Sequence, residues 1–323
     1  MLQPISNDQG VALWAGDVIN KGGVLYRDAW DTRGPAPYYF TSLIVALLGR
    51  NAWGFRLVDL IIQVVGAWGI SLLIKRLGGT RVSAVLGAAF YLLWYASLQF
   101  QDSAQADGWV GVLLVFTAYA LVYRSPPTYW LMFASGLLLG ICVLNKPTYG
   151  LCVLMPAIYA ARQPVTASRW ARSVAVAALG CILPVAIAVL YFWHEGVLWT
   201  AYDVYIRYNV LVYGHLQDPW LARLLDAGQQ LLGLPMVFAV PLVAVGVANV
   251  WRRNRYACAL LVWWLIATLL NQMIQHKPWA YEWLPTLAPF AILSGFAVSR
   301  LPDVFTSGDA VQTTGPSRAR TSL

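Results

Sequence analysis

Nine apolar stretches divide the chain, at roughly 53–74, 82–98, 107–124, 128–144, 147–161, 173–193, 231–250, 256–275 and 279–299. A helix needs about 20 residues to cross a bilayer, with a range of about 17–25. Runs of this length and number predict an all-α, polytopic membrane protein. Residues 147–161 are short for a crossing and are expected to tilt or re-enter. Composition points the same way. Of 323 residues, 59% are hydrophobic and 11% charged, whereas a soluble domain carries about 25% charged residues. A soluble core of this size would have too few charges to cover its surface.

The formal charge is +8. The bases sit at the ends of spans, so topology explains them better than nucleic-acid binding does. Lys75, Arg76, Arg81, Arg124, Arg162, Arg169, Arg172, Arg252, Arg253, Arg255 and Arg300 fall on one set of loops, where acids are nearly absent. By the positive-inside rule that side is cytoplasmic. The other set of loops holds most of the acids, among them Asp8, Asp28, Asp31, Asp102, Asp107 and Glu282. The alternation holds across all the stretches. It predicts an extracytoplasmic loop with interfacial helices at 1–52 and a transmembrane bundle of about nine spans at 53–300. The bundle includes an outer loop at 194–230, and a disordered cytoplasmic tail follows at 301–323. The expected location is the plasma (inner) membrane, multi-pass, with the first loop outside.

Cys142, Cys152, Cys181 and Cys258 lie in or beside apolar runs without CxxC spacing. They read as small buried hydrophobes rather than a zinc site or a disulfide framework. Met1 to Gly10 has neither the basic start nor the apolar run of a cleavable signal. No internal repeat is visible, which removes the direct sign of a transporter built from inverted halves.

The first loop contains Asp8-Gln9-Gly10, then Tyr26-Arg27-Asp28-Ala29-Trp30-Asp31-Thr32-Arg33-Gly34-Pro35, then Tyr38-Tyr39. This pattern resembles the first extracytoplasmic loop of the GT-C glycosyltransferases, in the family 39, protein-mannosyltransferase-like branch. There an Asp-Glu pair opens a short helix, and a Tyr-x-Asp-x-Trp-Asp-x-Lys-Pro or Lys-Gly-Pro element follows before an aromatic pair. Asp107, Gly136 to Tyr149 with Asn145-Lys146-Pro147, and Lys277 to Pro289 with Tyr281 and Pro285 extend the likeness along most of the chain. Two residues depart from the pattern: Gln9 stands where the family has Glu, and Arg33 where Lys is commoner. In the family a transmembrane helix precedes this loop, so the resemblance implies a chain lacking its first transmembrane helix.

The resemblance implies a GT-C-type helix bundle with a catalytic first loop. Such enzymes move a sugar from a polyprenyl-phosphate carrier to an acceptor glycan, lipid or protein on the outer face. A base must take the acceptor's proton, cations must hold the leaving phosphate, and a groove must accept the lipid tail. Asp8 is the expected general base, although Ser6, Asn7 and Asp8 all suit a helix N-cap. Asp107 is the second expected catalytic acid; it also suits an N-cap, and Asp102 competes for its role. Arg33 is the expected phosphate clamp, since a guanidinium holds two phosphate oxygens at once. Lys146 and Lys277 are placed to reach the same phosphate or to snorkel to the interface. Asp28, Trp30, Asp31 and Tyr281 are expected to shape the loop or bind substrate, with Asp28 and Asp31 pairing with Arg27 or Arg33.

Arg56 and Asp59 share a helix face and suggest a structural ion pair. The aromatics at 199–220 suit an interfacial belt or a sugar-stacking surface. No metal cluster is evident, though a divalent ion would have ligands if Asp8, Asp107 and His276 converged. The partners implied are membrane lipids, a lipid-linked sugar donor and its acceptor, with no nucleic acid. The rival readings are a transporter or flippase of lipid-linked sugars and a non-catalytic protein with the same fold. A transporter site should lie near the bilayer midplane, whereas the charges here concentrate at the outer ends of spans.

Overall fold

The computed structural model describes residues 5–124, 128–161, 166–213, 218–277 and 279–298. The 301–323 tail, Arg162 and Arg300 lie outside them. Among the described residues the chain is helical throughout; an isolated bridge between Leu25 and Ala29 is the nearest thing to a strand. Two helices, α1 (Asn7–Asn20) and α2 (Pro35–Leu48), pack on one another and come before the first long span, α3 (Ala52–Arg76). Then follow α4 (Arg81–Ala96), α5 (Ala106–Tyr123) and α6 (Tyr129–Val143). A 3₁₀ segment, Pro147–Leu154, leads into the short α7 (Met155–Ala160) and the long α8 (Ala167–His194). After α9 (Leu198–Tyr202) a wide-turned π segment runs from Asp203 to Tyr213. Beyond it lie α10 (Trp220–Leu232), α11 (Val240–Arg253), α12 (Arg255–Gln275) and α13 (Leu284–Ala297).

Helices form here because apolar side chains run unbroken, and several starts are capped by a side chain. Asn51 caps α3 by accepting from Gly54 N–H, and Lys75 and Arg76 sit in its last turn, where cations suit the negative end of the helix dipole. Thr80 and Asn254 cap α4 and α12 in the same way. Among the described residues five segments are long and apolar enough to cross a membrane: 52–76, 106–123, 167–194, 235–253 and 255–275. Helices 81–96 and 129–143 and the 147–160 segment are apolar but shorter. The 147–161 stretch is short because Pro147 and Pro156 break it into a 3₁₀ turn and a six-residue helix.

α13 is the centre of the bundle. Every residue from Leu284 to Phe296 is buried, and the helix packs against α4, α5 and α11. A helix that is apolar all round belongs inside. α8 is its opposite, a peripheral helix that turns Leu179, Ile182, Ile187 and Leu190 outward, as a lipid-facing surface requires. It is held by α6 through backbone contact. A Cβ on Gly136 would stand 2.0 Å from the Ala177 carbonyl oxygen, so only glycine permits that approach. Small residues let helices meet closely where lipid removes any hydrophobic drive between them.

The two sets of charged loops lie at opposite ends of the bundle. At one end Arg76 donates to the Val122 carbonyl and Arg253 to the Gly78 carbonyl. At the other end the acids and bases of the first loop meet those at the starts of α5 and α13.

Candidate active site

Residues 21–34 are pinned to the bundle one turn at a time. Asp28 accepts from Val24 N–H at 2.7 Å and pairs with Arg27 at 3.1 Å. Tyr26, at φ 71°, is buried with its ring edge against Phe192 of α8, and its hydroxyl donates to the Arg33 carbonyl. Asp31 accepts from the Arg33 backbone N–H at 3.2 Å, a local Asx turn. The guanidinium of Arg33 is thereby left for another partner.

Gly34 and Pro35 then dock on the α6 terminus. Gly34 N–H donates to the Asn145 carbonyl at 3.0 Å and Ala36 N–H to the Leu144 carbonyl at 3.2 Å. A Cβ on Gly34 would lie 2.0 Å from the Leu144 oxygen. Pro35 opens α2, where its missing N–H costs nothing. The Gly-Pro pair of the first loop and the Asn145-Lys146-Pro147 segment, which are distant in sequence, are thus one structural unit.

Asp8 sits in the first turn of α1. Ser6, not Asp8, is the N-cap, forming a reciprocal capping box with Gln9. This leaves the Asp8 carboxylate free to reach Arg33 Nη2 at 2.7 Å. Asp8 is 43% exposed and Arg33 14%. Arg33 also donates to the Tyr281 hydroxyl at 3.4 Å and lies over its ring. Gln9 is buried and fully used. Its Nε2 donates to the carbonyls of Phe100 and Ser103, and its Oε1 accepts from Arg56. A glutamate could not donate to those two carbonyls. Asp59 accepts from Gln63, Tyr95 and Trp109, and Arg56 from the same face of α3 donates to Gln9 and Ser103.

Behind Tyr281 lies a buried charge cluster. Lys146 Nζ is 2.8 Å from Asp107 and 2.6 Å from Glu282, and Tyr149 donates to Asp107. Lys146 also lies against the Tyr281 ring, 5.8 Å from its centroid. Burial alone would push the Lys146 ammonium down, but the two carboxylates reverse this and hold it above its usual range. Asp107 is in the first turn of α5 rather than at its N-cap, which is Gln105. It is wholly buried. It stands behind Lys146 and is not among the residues on the cavity wall.

Asp8, Asp31, Arg33, Lys146, Lys277, Tyr281 and Glu282 line one cavity with about 900 Å³ of open space. Asn145, Thr148, Tyr205, Asn209 and Gln275 share its wall. Burial pushes the Lys277 ammonium down to about 8. Trp30 lies elsewhere, half exposed with its edge against Tyr208, and Asp28 serves the turn. His276 is held between Asp218 and Asp226 at 2.8 and 2.5 Å, so it does not join Asp8 and Asp107. Among the described residues no group of His, Cys, Asp and Glu is disposed to hold a metal ion.

A second cavity opens among α2, α3, α5 and α6. Its wall is apolar, with Phe40, Ile61, Val65, Trp109, Leu113 and Phe116. Asn145 lines both cavities.

Sequence reasoning passed over Glu282, Asn145, Tyr205 and Asn209 as site residues. Glu282 had one usable signal: a lysine at a span end, such as Lys146, needs a counter-charge. Tyr205 and Asn209 carried none, because the π segment that turns them inward has no distinctive pattern.

These features define a polytopic membrane protein built on the GT-C fold. The structure is similar to ArnT from Cupriavidus metallidurans bound to undecaprenyl phosphate, with a TM-score of 0.61 at 16% identity. The alignment covers 94% of this chain and 57% of ArnT. The apo form of the same protein gives a TM-score of 0.58 at 17% identity, covering 92% and 56%. The chain thus spans a little over half the length of the solved structures it resembles. No curated protein matches in sequence. Residues 32–192 match the family model for dolichyl-phosphate-mannose-protein mannosyltransferase, so this part of the sequence and the fold are both similar to those of GT-C enzymes.

Proposed function

We propose that this protein is a membrane glycosyltransferase that moves a sugar from a polyprenyl-phosphate carrier to an acceptor at the outer face of the plasma membrane. The observation that carries the reading is the meeting of Asp8 and Arg33 in a cavity that also holds Lys146 and Lys277. A carboxylate and several cations in one place are what transfer from a phosphate ester requires. The apolar cavity beyond Asn145 suits the carrier's isoprenoid tail. The undecaprenyl phosphate bound to ArnT and the dolichyl-phosphate-mannose of the matching family's name are consistent with such a carrier.

Asp8 acts as the general base. In the empty site its charge is spent on Arg33. A phosphate arriving at Arg33 competes for the guanidinium with a stronger, bidentate partner, and the released Asp8 carboxylate can take the acceptor's proton. The acceptor oxygen then bonds to the anomeric carbon as the carbon–oxygen bond to phosphate breaks. Polyprenyl phosphate leaves, its charge held by Arg33 and Lys277. Lys146 has three donor hydrogens; two serve Asp107 and Glu282, leaving one for the phosphate. Asp107 and Glu282 therefore orient Lys146 rather than touch the reacting atoms. Tyr281 spaces the two cations, Asp31 fixes the Arg33 backbone, and Asp28 and Trp30 shape the loop. The outward orientation rests on the positive-inside asymmetry. Location of the polar cavity at helix ends, rather than at a mid-bundle break, favours this reading over a transporter.

The test uses the purified protein in lipid vesicles supplied with polyprenyl-phosphate sugars, the mannosyl ester first, and glycan, lipid and peptide acceptors. Acceptor-dependent release of polyprenyl phosphate is expected from wild type and not from Asp8→Asn. Equal release from the two proteins would remove Asp8 from the mechanism. No release from any donor by folded protein would end the transferase reading.

A further inference from the structure

Asn145 is 3% exposed, yet neither its Nδ2 nor its Oδ1 has a hydrogen-bond partner. Its backbone is fully engaged: the N–H donates to the Ile141 and Cys142 carbonyls, and the carbonyl accepts from Gly34. The residue is fixed in place while its amide is left with nothing to bind. Buried polar groups are nearly always paired, and leaving two unpaired is a standing penalty. An apolar residue of similar volume would fill the same space without it.

The location suggests what the amide awaits. Asn145 is the one described residue that lines both the polar cavity of Arg33 and Lys277 and the apolar cavity beneath it. A molecule occupying both must have an anionic, hydrogen-bonding head and a long apolar tail. Its junction falls at Asn145.

We propose that Asn145 is a ligand of the sugar-loaded carrier, donating from Nδ2 to a phosphate oxygen and accepting at Oδ1 from a sugar hydroxyl. This rests on the carrier-dependent reading above. It adds a binding residue with two-sided recognition: the phosphate satisfies one half of the amide and the sugar the other. Unloaded carrier fills only the first half, so Asn145 favours the donor over the spent product.

The experiment compares wild type with Asn145→Leu and Asn145→Ala in detergent. Melting temperature is followed against undecaprenyl phosphate and its mannosyl ester, with undecaprenol and inorganic phosphate as separate arms. A ligand that binds the folded state raises the melting temperature by mass action. Wild type should respond to the two phosphate lipids more than to either fragment. Asn145→Leu should melt no lower than wild type when empty, yet bind the phosphate lipids about 10- to 100-fold more weakly, the worth of a hydrogen bond to a charged group. The loss should be larger for the mannosyl ester. If both variants fold and bind like wild type, Asn145 is not a ligand, though the carrier reading stands. If both melt well below wild type when empty, the residue is structural and the proposal falls. If wild type responds to no phosphate lipid, the carrier reading falls and takes this proposal with it.

Discussion

Replacing Gly34 by alanine adds one methyl group where the first loop touches the end of α6. Its backbone, at φ −68° and ψ 170°, is open to any residue, so no conformational strain enters. The clash is purely steric. The new Cβ would lie 2.0 Å from the Leu144 oxygen, 2.7 Å from its carbon and 2.8 Å from the Asn145 oxygen. Non-bonded heavy atoms prefer roughly 3.5 Å, so the two backbones must separate by about 1.5 Å. This breaks the bonds from Gly34 N–H to Asn145 and from Ala36 N–H to Leu144. At about 0.5–1.5 kcal/mol each, the loss of stability is about 1–3 kcal/mol. The functional effect is larger. The shift carries Arg33 away from Lys146, and a misplacement of about 1 Å at a reacting site costs on the order of 10²-fold. Melting temperature in detergent and transfer rate check the two numbers separately. A Gly34→Ala protein with wild-type values of both would show that the loop does not depend on this contact.

Asp8→Asn should leave melting unchanged and reduce transfer by about 10²- to 10⁴-fold, read in the vesicle assay with a saturating donor. Affinity for polyprenyl phosphate should fall as pH rises through about 8, where the empty site loses the Lys277 proton. Binding must then take that proton up, so affinity drops by up to roughly tenfold per pH unit. Lys277→Arg should bind without this step, and a pH-independent wild type would exclude Lys277 from the phosphate site. Gln9→Glu restores the residue of the resembled family and should still destabilise, by about 1–3 kcal/mol. Two donated bonds to Phe100 and Ser103 become carboxylate–carbonyl contacts. An unchanged melting temperature would contradict this.

The spans were legible because nothing but lipid or a deep core accommodates such apolar runs. Which of them cross is not legible, since hydropathy does not separate a crossing helix from a shorter one such as Arg81–Ala96, or from α13, buried within the bundle. The Asp8 and Arg33 positions were legible through the first-loop pattern. Their 2.7 Å contact was not, because it depends on Ser6 taking the cap and on Asp31 engaging the Arg33 backbone. The Lys146 cluster joins residues separated by 39 and 136 positions, and single-sequence spacing carries no information at that range. Gln9 read as a defect in the pattern and proves to be a hub, since only an amide both donates and accepts there. In the sequence Asn145 is only one residue of the Asn145-Lys146-Pro147 segment. Its interest lies in having no partner, which no sequence displays.

In the proposed reaction Arg33 is the group that holds the carrier's phosphate. The direct measurement is the melting temperature of detergent-purified protein titrated with undecaprenyl phosphate, for wild type and Arg33→Ala side by side. Wild type should show a rise that saturates with lipid and is largely lost in the variant. The empty proteins should differ little. Equal stabilisation of both proteins, or none for folded wild type, would contradict that role of Arg33.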